Sequence, residues 1–268
     1  MTALIFDCDG VLADTEQFGH MAAFNQLFEE EGLPLHWSIA DYAQKVKIGG
    51  GKERLKSVLT PEFVAEAGLP TDADEQTELV AKWHKRKTQI YTDLVDAGVM
   101  PGRPGIKRIV EQARAADWDL AVASTSAEPS VRAVLKYAVG EELASHFSIF
   151  AGDIVPAKKP APDIYLLALH EMGVSADDVI VVEDSENGMR AAVAANLPTL
   201  VTVSTFTVNE DFTPASLVVN HLGDPTPGER TEVLKNPLGV EVTDWVTLAN
   251  LEFIIAHHRA NTPTQVAG

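Results

Sequence analysis

The run Val179-Ile180-Val181-Val182-Glu183-Asp184-Ser185-Glu186-Asn187-Gly188 decides the fold. Val179 to Val182 is a short apolar run rich in β-branched residues, and it reads as a buried strand. Two acids end it, and from Gly188 to Ala195 the apolar spacing becomes helical. Moving outward, Ile164 to Met172 reads as a helix before this strand and Thr199 to Val203 as a strand after it. Further out, Leu120 to Ala123 and Phe147 to Phe150 read as strands, with a helix over Ser130 to Tyr137 between them. Ala3 to Phe6 is a first strand at the start of the chain. Strands that alternate with helices make a parallel sheet with helices on its faces.

Strand patterns are missing between residues 16 and 96, where Met21 to Phe28, Leu55 to Val58, Phe63 to Ala67 and Leu79 to Val95 all carry helical spacing. Three glycines and two prolines between Gly98 and Gly105 mark a turn or hinge. The expected architecture is therefore α/β: a Rossmann-like core from residues 1–15 and 97–222, and an inserted helical domain over 16–96. Residues 223–268 form a C-terminal extension expected to pack on the core. That extension is rich in Pro, Gly and charge until Trp245, then helical to about His258, with Trp245, Leu248 and Leu251 as its apolar face. The last residues read as frayed.

Composition removes several classes of function. The chain has 268 residues, 46% of them apolar, as an ordinary globular protein has. Its 39 acidic and 21 basic residues give a net charge of −18, so nucleic acid is not an expected partner. The densest basic run, Lys82 to Lys87, reads as a solvated helix face. A single cysteine, Cys8, precludes an internal disulfide. The N-terminus lacks the pattern of a signal peptide, and no segment has the roughly 18 apolar residues of a membrane span. The expected location is the cytoplasm, or a plastid if a transit peptide has been removed.

In open parallel sheets, ligands bind beyond the carboxyl ends of the strands. Here those ends deliver Asp7 and Asp9, then Ser124, Thr125 and Ser126, then Lys158 and Lys159, then Glu183 and Asp184. Any one of these clusters alone reads as a helix cap, a turn or a solvated loop. Together they fit one reaction. A carboxylate attacks phosphorus and forms an aspartyl-phosphate. A divalent cation on Asp7, Asp9 and Asp184 relieves the repulsion between anions. Ser124, backbone amides and a lysine hold the other oxygens. Of the two aspartates, one ligates metal and attacks, while the other moves the proton.

Competing motifs fail on spacing. Gly49-Gly50-Gly51-Lys52 lacks the earlier glycine of a nucleotide-binding loop, with Val46 in its place, and Glu53 stands where a hydroxyl is needed. A thiolate phosphatase built on Cys8 needs an arginine where Asp14 stands. Val11 breaks the ligand run of a calcium loop, and His257 and His258 lie in a tail read as solvated.

Asp7-Cys8-Asp9-Gly10-Val11-Leu12, Ser124-Thr125-Ser126, Lys159-Pro160-Ala161-Pro162-Asp163 and Glu183-Asp184-Ser185 resemble, in order, the four motifs of the haloacid dehalogenase superfamily. The resemblance covers residues 1 to about 205 and implies that the insert is a cap domain. Asp14-Thr15-Glu16, Gly49 to Arg54, Arg103-Pro104-Gly105 and Ser124 to Glu128 are similar to the β-phosphoglucomutase-like subgroup, and within it to CbbY-type sugar-bisphosphate phosphatases. This resemblance implies Asp7 as nucleophile and Asp9 as acid and base. It implies Mg2+ held by Asp7, the Asp9 carbonyl and Asp184, with Glu183 assisting. Ser124, Thr125 and Lys159 would hold the transferred phosphoryl group. Glu16, His20, Gly51, Lys52, Arg54, Arg103 and Ser126 are the further candidates for substrate recognition. The implied substrate is a sugar phosphate, xylulose-1,5-bisphosphate in that family, with cap closure over hinges near Asp14 to Glu16 and Val99 to Gly105. The protein is expected to work as a monomer.

The alternative chemistry is a mutase, which returns the phosphoryl group to the sugar; Asp7 and Asp9 serve both reactions. A dehalogenase has no use for the second aspartate and the metal acids. A catalytically silent binding protein on this fold would not need four intact motifs.

Overall fold

A computed structural model describes residues 1–48, 50–100 and 102–261 of the chain. Gly49 and the frayed-tail expectation for the last residues lie outside the described residues. Strand β1 (Ala3–Phe6) is followed by a helical segment of wide, π-type turns over Glu16–Met21. Helices α1 (Ala22–Glu30), α2 (Ile39–Lys45), α3 (Gly51–Lys56), α4 (Pro61–Glu66) and α5 (Ala73–Asp96) come next. Then follow α6 (Ile106–Ala115), β2 (Asp119–Ser124), α7 (Glu128–Val139), α8 (Glu141–Ala144), β3 (Phe147–Ala151) and α9 (Asp163–Met172). The chain continues through β4 (Val179–Glu183), α10 (Glu186–Ala194), β5 (Thr199–Thr202), β6 (Leu217–Val219), β7 (Val233–Lys235) and α11 (Leu248–Asn261). It divides into two units, Met1–Asp14 with Met100–Gly268, and Thr15–Val99.

In the first unit the strands form one seven-stranded sheet in the order β3-β2-β1-β4-β5-β6-β7. Every pairing is parallel except β6 with β7. β1 and β4 are buried along their whole length, as strands covered on both faces must be. The register sets Phe6 beside Val122 on one side and Val182 on the other. The next residues, Asp7 and Glu183, therefore leave adjacent strands at the same level. Sequence order reverses between β1 and β4, which is the switch point where such sheets bind ligands.

One face of the sheet packs Ile5, Ala121, Ala123, Val179 and Val181 with Ile164, Tyr165 and Ala168 of α9 and Ala191 and Ala192 of α10. Helix α11 packs against β4 and α6. Its buried face is Asn250, Leu251, Ile254 and Ile255. Of the expected stripe, Leu251 is buried, whereas Leu248 is half-buried and Trp245, also half-buried, lies before the helix.

The second unit is entirely helical among its described residues. Its helices start where the side chains dictate. Ser38 and Asp41 form a reciprocal capping box on α2, and Asp72 accepts from the amides of Asp74 and Glu75 on α5. Thr60 caps α4, with Pro61 in the first turn where its missing N–H costs nothing. Phe24 and Phe28 of α1 pack with Trp37 and Tyr42 in an aromatic cluster. No described helix is long and apolar enough to cross a membrane.

Candidate active site

Asp7 ends β1, and its amide donates to Val182 O at 2.9 Å. Beyond it the chain turns at once: Gly10 sits at φ +75°, with its amide on Ala13 O at 2.9 Å. A Cβ on Gly10 would lie 2.0 Å from Asp184 Oδ2, so the turn is glycine for reasons of space as well as of φ.

The carboxylates of Asp7, Glu183 and Asp184 are buried and offer oxygens within 4.8 Å of one another. Lys159 reaches into this cluster from the loop before α9. Its Nζ donates to Asp7 Oδ1 at 2.6 Å, to Glu183 Oε1 at 2.6 Å and to Ala123 O at 2.9 Å. Lys158 points away and pairs with Asp153 at the surface. Glu183 Oε1 also accepts from the Tyr165 hydroxyl at 2.5 Å, and its Oε2 from the Asp184 amide at 3.2 Å.

The electrostatics follow from burial. Desolvation, reinforced by Glu183 and Asp9 and opposed by Lys159, pushes Asp7 up to about 7. Burial, with Glu183 and Asp7 beside it, holds Asp184 well above the carboxylate range, against the hydroxyl of Ser204 and the charge of Arg103. Burial alone would depress the Lys159 ammonium, but Asp7 and Glu183 override it and keep it charged. Burial and the two flanking aspartates push the Cys8 thiol far up, so it is an inert packing group. Three carboxylates and one lysine thus meet in a single buried cluster.

Around this centre, Ser124 is buried at the end of β2 and Thr125 is exposed just beyond it. Asp9 is half-buried and accepts from the Ser126 hydroxyl, so Ser126 addresses Asp9 rather than standing free for a ligand.

Arg103, expected to meet substrate, lies with its guanidinium against the ends of β5 and β6. Its guanidinium donates to the carbonyls of Gly10, Thr202, Val203 and Asn220 and to Thr202 Oγ1. Four carbonyls and one hydroxyl thus occupy both terminal nitrogens of the fork. Position 103 follows a glycine-rich turn, a context that reads equally well as a ligand loop, so the sequence did not separate the two uses.

In the helical unit, Arg54 is likewise held by neighbouring groups. It donates to Ile48 O, Val46 O, Glu16 Oε2 and Tyr42 Oη, at 3.0, 3.2, 3.2 and 2.6 Å. Glu16 also accepts from Tyr42 at 2.6 Å. Glu16, Tyr42 and Arg54 thus brace one another, with Arg54 12% exposed.

Lys52 is exposed at the start of α3, and His84 lies beside Gly51, whose added Cβ would meet the imidazole at 3.1 Å. Burial, then Lys87 and Lys52, lowers the basicity of His84 against the pull of Glu53, so the imidazole stands near two lysines as a neutral group. Lys87 was read with the solvated run Lys82 to Lys87, yet it is buried. Its ammonium lies 4.6 Å from the ring centre of Phe24 and 2.7 Å from His20 Nδ1, while His20 stacks on Tyr91. Read as one block, Lys82 to Lys87 hides that its residues face different ways. Helical spacing places Lys87 with Trp83 and Ile90 on the buried face, and Lys82 and Arg86 with Glu31 and Glu30 outside.

A parallel sheet that gathers carboxylates, a lysine and a serine at one carboxyl edge defines a phosphoryl-transfer hydrolase. Residues 1–196 match the haloacid dehalogenase-like hydrolase family. The chain is 43% identical over 232 residues to a CBBY-like protein of Arabidopsis thaliana, covering 87% of this chain and 72% of that one. It is 42% identical over 229 residues to the plasmid CbbY protein of Cupriavidus necator, covering 84% and 87%. A crystal structure of a CbbY variant from Rhodobacter sphaeroides, in complex with xylulose-1,5-bisphosphate, superposes with a TM-score of 0.67 at 35% identity, over 82% of this chain and 95% of that one. This chain belongs to the haloacid dehalogenase-like hydrolases, in their CbbY-like branch, and is a phosphatase.

Proposed function

We propose that the chain is a magnesium-dependent phosphatase of xylulose-1,5-bisphosphate that carries the phosphoryl group on Asp7. The observation that carries this reading is the buried set in which Lys159 spans Asp7 and Glu183 beside Asp184. The likeness to a CbbY crystallised with that sugar bisphosphate supports it as the substrate.

The donor set fits magnesium. It consists of hard carboxylate oxygens held close together, two of which, on Asp7 and Asp184, burial raises in pKa. Asp7, Asp184 and the Asp9 carbonyl would hold the ion, with Glu183 in support. When bound, magnesium neutralises charge as the phosphate approaches the Asp7 carboxylate.

The chain's own residues do the rest. Asp7 forms a bond to phosphorus as the bond to the sugar oxygen breaks. Protonated Asp9 gives its proton to that oxygen, then takes one from the water that releases phosphate and frees Asp7. The Ser126 hydroxyl aims Asp9. Ser124, Thr125 and the charged Lys159 hold the oxygens that do not transfer. In the helical unit, which we read as the cap, exposed Lys52 recognises the second phosphate with His84 beside it, Glu16 and His20 meet the sugar, and buried Lys87 supports His20. Arg54 supports Glu16.

The test is product analysis. Incubated with xylulose-1,5-bisphosphate and magnesium, the protein should release one equivalent of inorganic phosphate. Formation of an isomeric sugar phosphate with no free phosphate would establish a mutase instead.

A further inference from the structure

We infer that Arg103 is a positioning residue for the loop that carries Asp7 and Asp9, acting through the Gly10 carbonyl. It is not a residue that touches substrate. The inference rests on the phosphatase reading of that loop and goes beyond it.

Residues 7–13 are a turn with few bonds of their own: Gly10 N to Ala13 O at 2.9 Å and Leu12 N to Cys8 O at 2.9 Å. The carbonyl of Gly10 faces away from that turn and needs a donor. Arg103 Nη1 supplies it and also donates to Thr202 O at 2.9 Å at the end of β5. Nη2 donates to Val203 O at 2.6 Å and to Asn220 O, just past β6, at 2.5 Å. One planar group thus ties the reacting loop to the ends of two strands of the rigid sheet. A lysine cannot copy this, because its single nitrogen has no fixed fork.

The backbone around Arg103 is itself held in place. Its amide donates to Leu12 O at 2.9 Å, and Gly102 bridges Ala13 in antiparallel fashion. A Cβ on Gly102 would come within 2.9 Å of the backbone of Ala138, so the segment passes α7 with no room to spare. On the far side, the Gly105 amide donates to Asp224 Oδ2 at 2.6 Å. Arg108 binds Asp224 at 3.3 Å and Gly223 O at 2.6 Å. Through Asp224, residues of the C-terminal extension therefore fix the segment on which Arg103 stands.

Errors of about 1 Å in the placement of reacting groups cost on the order of 10²-fold in rate. Releasing the Gly10 carbonyl loosens Asp9, one residue away, and leaves the groups assigned to substrate untouched. The consequence is a fall in kcat with little change in KM.

The experiment compares wild type, Arg103→Ala and Arg103→Lys on p-nitrophenyl phosphate and on xylulose-1,5-bisphosphate, each with and without added ethylguanidinium. Both variants should lose kcat on the order of 10²-fold on either ester, with KM within about twofold. Ethylguanidinium should restore part of the Arg103→Ala rate and none of the Arg103→Lys rate. If Arg103→Ala fails to fold, Arg103→Lys and Asp224→Asn carry the test; Asp224→Asn should lower kcat less, again at constant KM. A rise in KM for the bisphosphate at unchanged kcat would overturn the inference in favour of substrate contact, and unchanged kinetics would overturn it outright. Wild type that turns over p-nitrophenyl phosphate but not the bisphosphate would refute the substrate assignment alone, leaving the Arg103 comparison intact.

Discussion

Gly188 sits inside α10, where alanine is ordinarily worth about 1 kcal/mol more than glycine. Here the sign should reverse. An added Cβ would lie 2.1 Å from the carboxyl carbon and from both oxygens of Glu183. A carboxylate at the tip of a flexible chain would normally swing aside. This one is 1% exposed and pinned by Lys159 at 2.6 Å and Tyr165 at 2.5 Å. Moving it breaks two hydrogen bonds to a charged group, about 1.5–3 kcal/mol each. After the helix-propensity gain, Gly188→Ala should lose about 2–5 kcal/mol. At about 2–4 °C per kcal/mol, the thermal transition should fall by roughly 4–20 °C. Lys159 loses one of its two acid partners at the same time, so activity should drop as well. Thermal unfolding by circular dichroism, paired with phosphatase assays, measures both. Asn187→Ala, on the exposed side of the same helix, is the control and should be near neutral. A Gly188→Ala protein as stable and as active as wild type would refute the claim that Glu183 is fixed in place.

Three further outcomes follow from the same site. Lys159→Met leaves Asp7 and Glu183 without their cation, so the folded state should lose about 3–5 kcal/mol and denaturant melts should show it. Magnesium should raise the melting temperature more at pH 8 than at pH 6. Asp7 titrates near 7 in the metal-free fold against 3.8 ordinarily, so without metal it costs stability as pH rises through that window, and metal needs the ionised form; a gain independent of pH would count against ligation by Asp7. Tyr42→Phe removes the hydroxyl shared by Glu16 and Arg54, and should raise KM for the bisphosphate while leaving p-nitrophenyl phosphate turnover unchanged.

The sheet was legible because burial on both faces forces continuous apolar strands such as Val179–Val182, and because motif acids follow them directly. Helix α6 has helical spacing at Ile106, Ile109, Val110 and Ala113, but it follows directly on a Gly and Pro turn that breaks the pattern before it. Strands β6 and β7 have three residues each, too few to show a period. The meeting of Asp7, Glu183 and Asp184 could be expected from strand ends, while Lys159 rather than Lys158 came from the motif resemblance. Which arginines serve the backbone could not, since Arg54 and Arg103 take their roles from carbonyls that sequence does not distinguish. Lys87 was hidden for a related reason: its burial depends on the rings of Phe24 and Tyr91, which lie far from it or a turn away along the chain.

The central claim is that phosphate passes through Asp7, and one measurement addresses it directly. Wild type and Asp7→Asn are mixed with phosphoryl-labelled xylulose-1,5-bisphosphate and magnesium, quenched in acid during the first turnovers, and digested for peptide mapping. The account predicts label on the peptide containing Asp7 in wild type, with neither label nor phosphate release in Asp7→Asn. Release of phosphate by Asp7→Asn at the wild-type rate would contradict it.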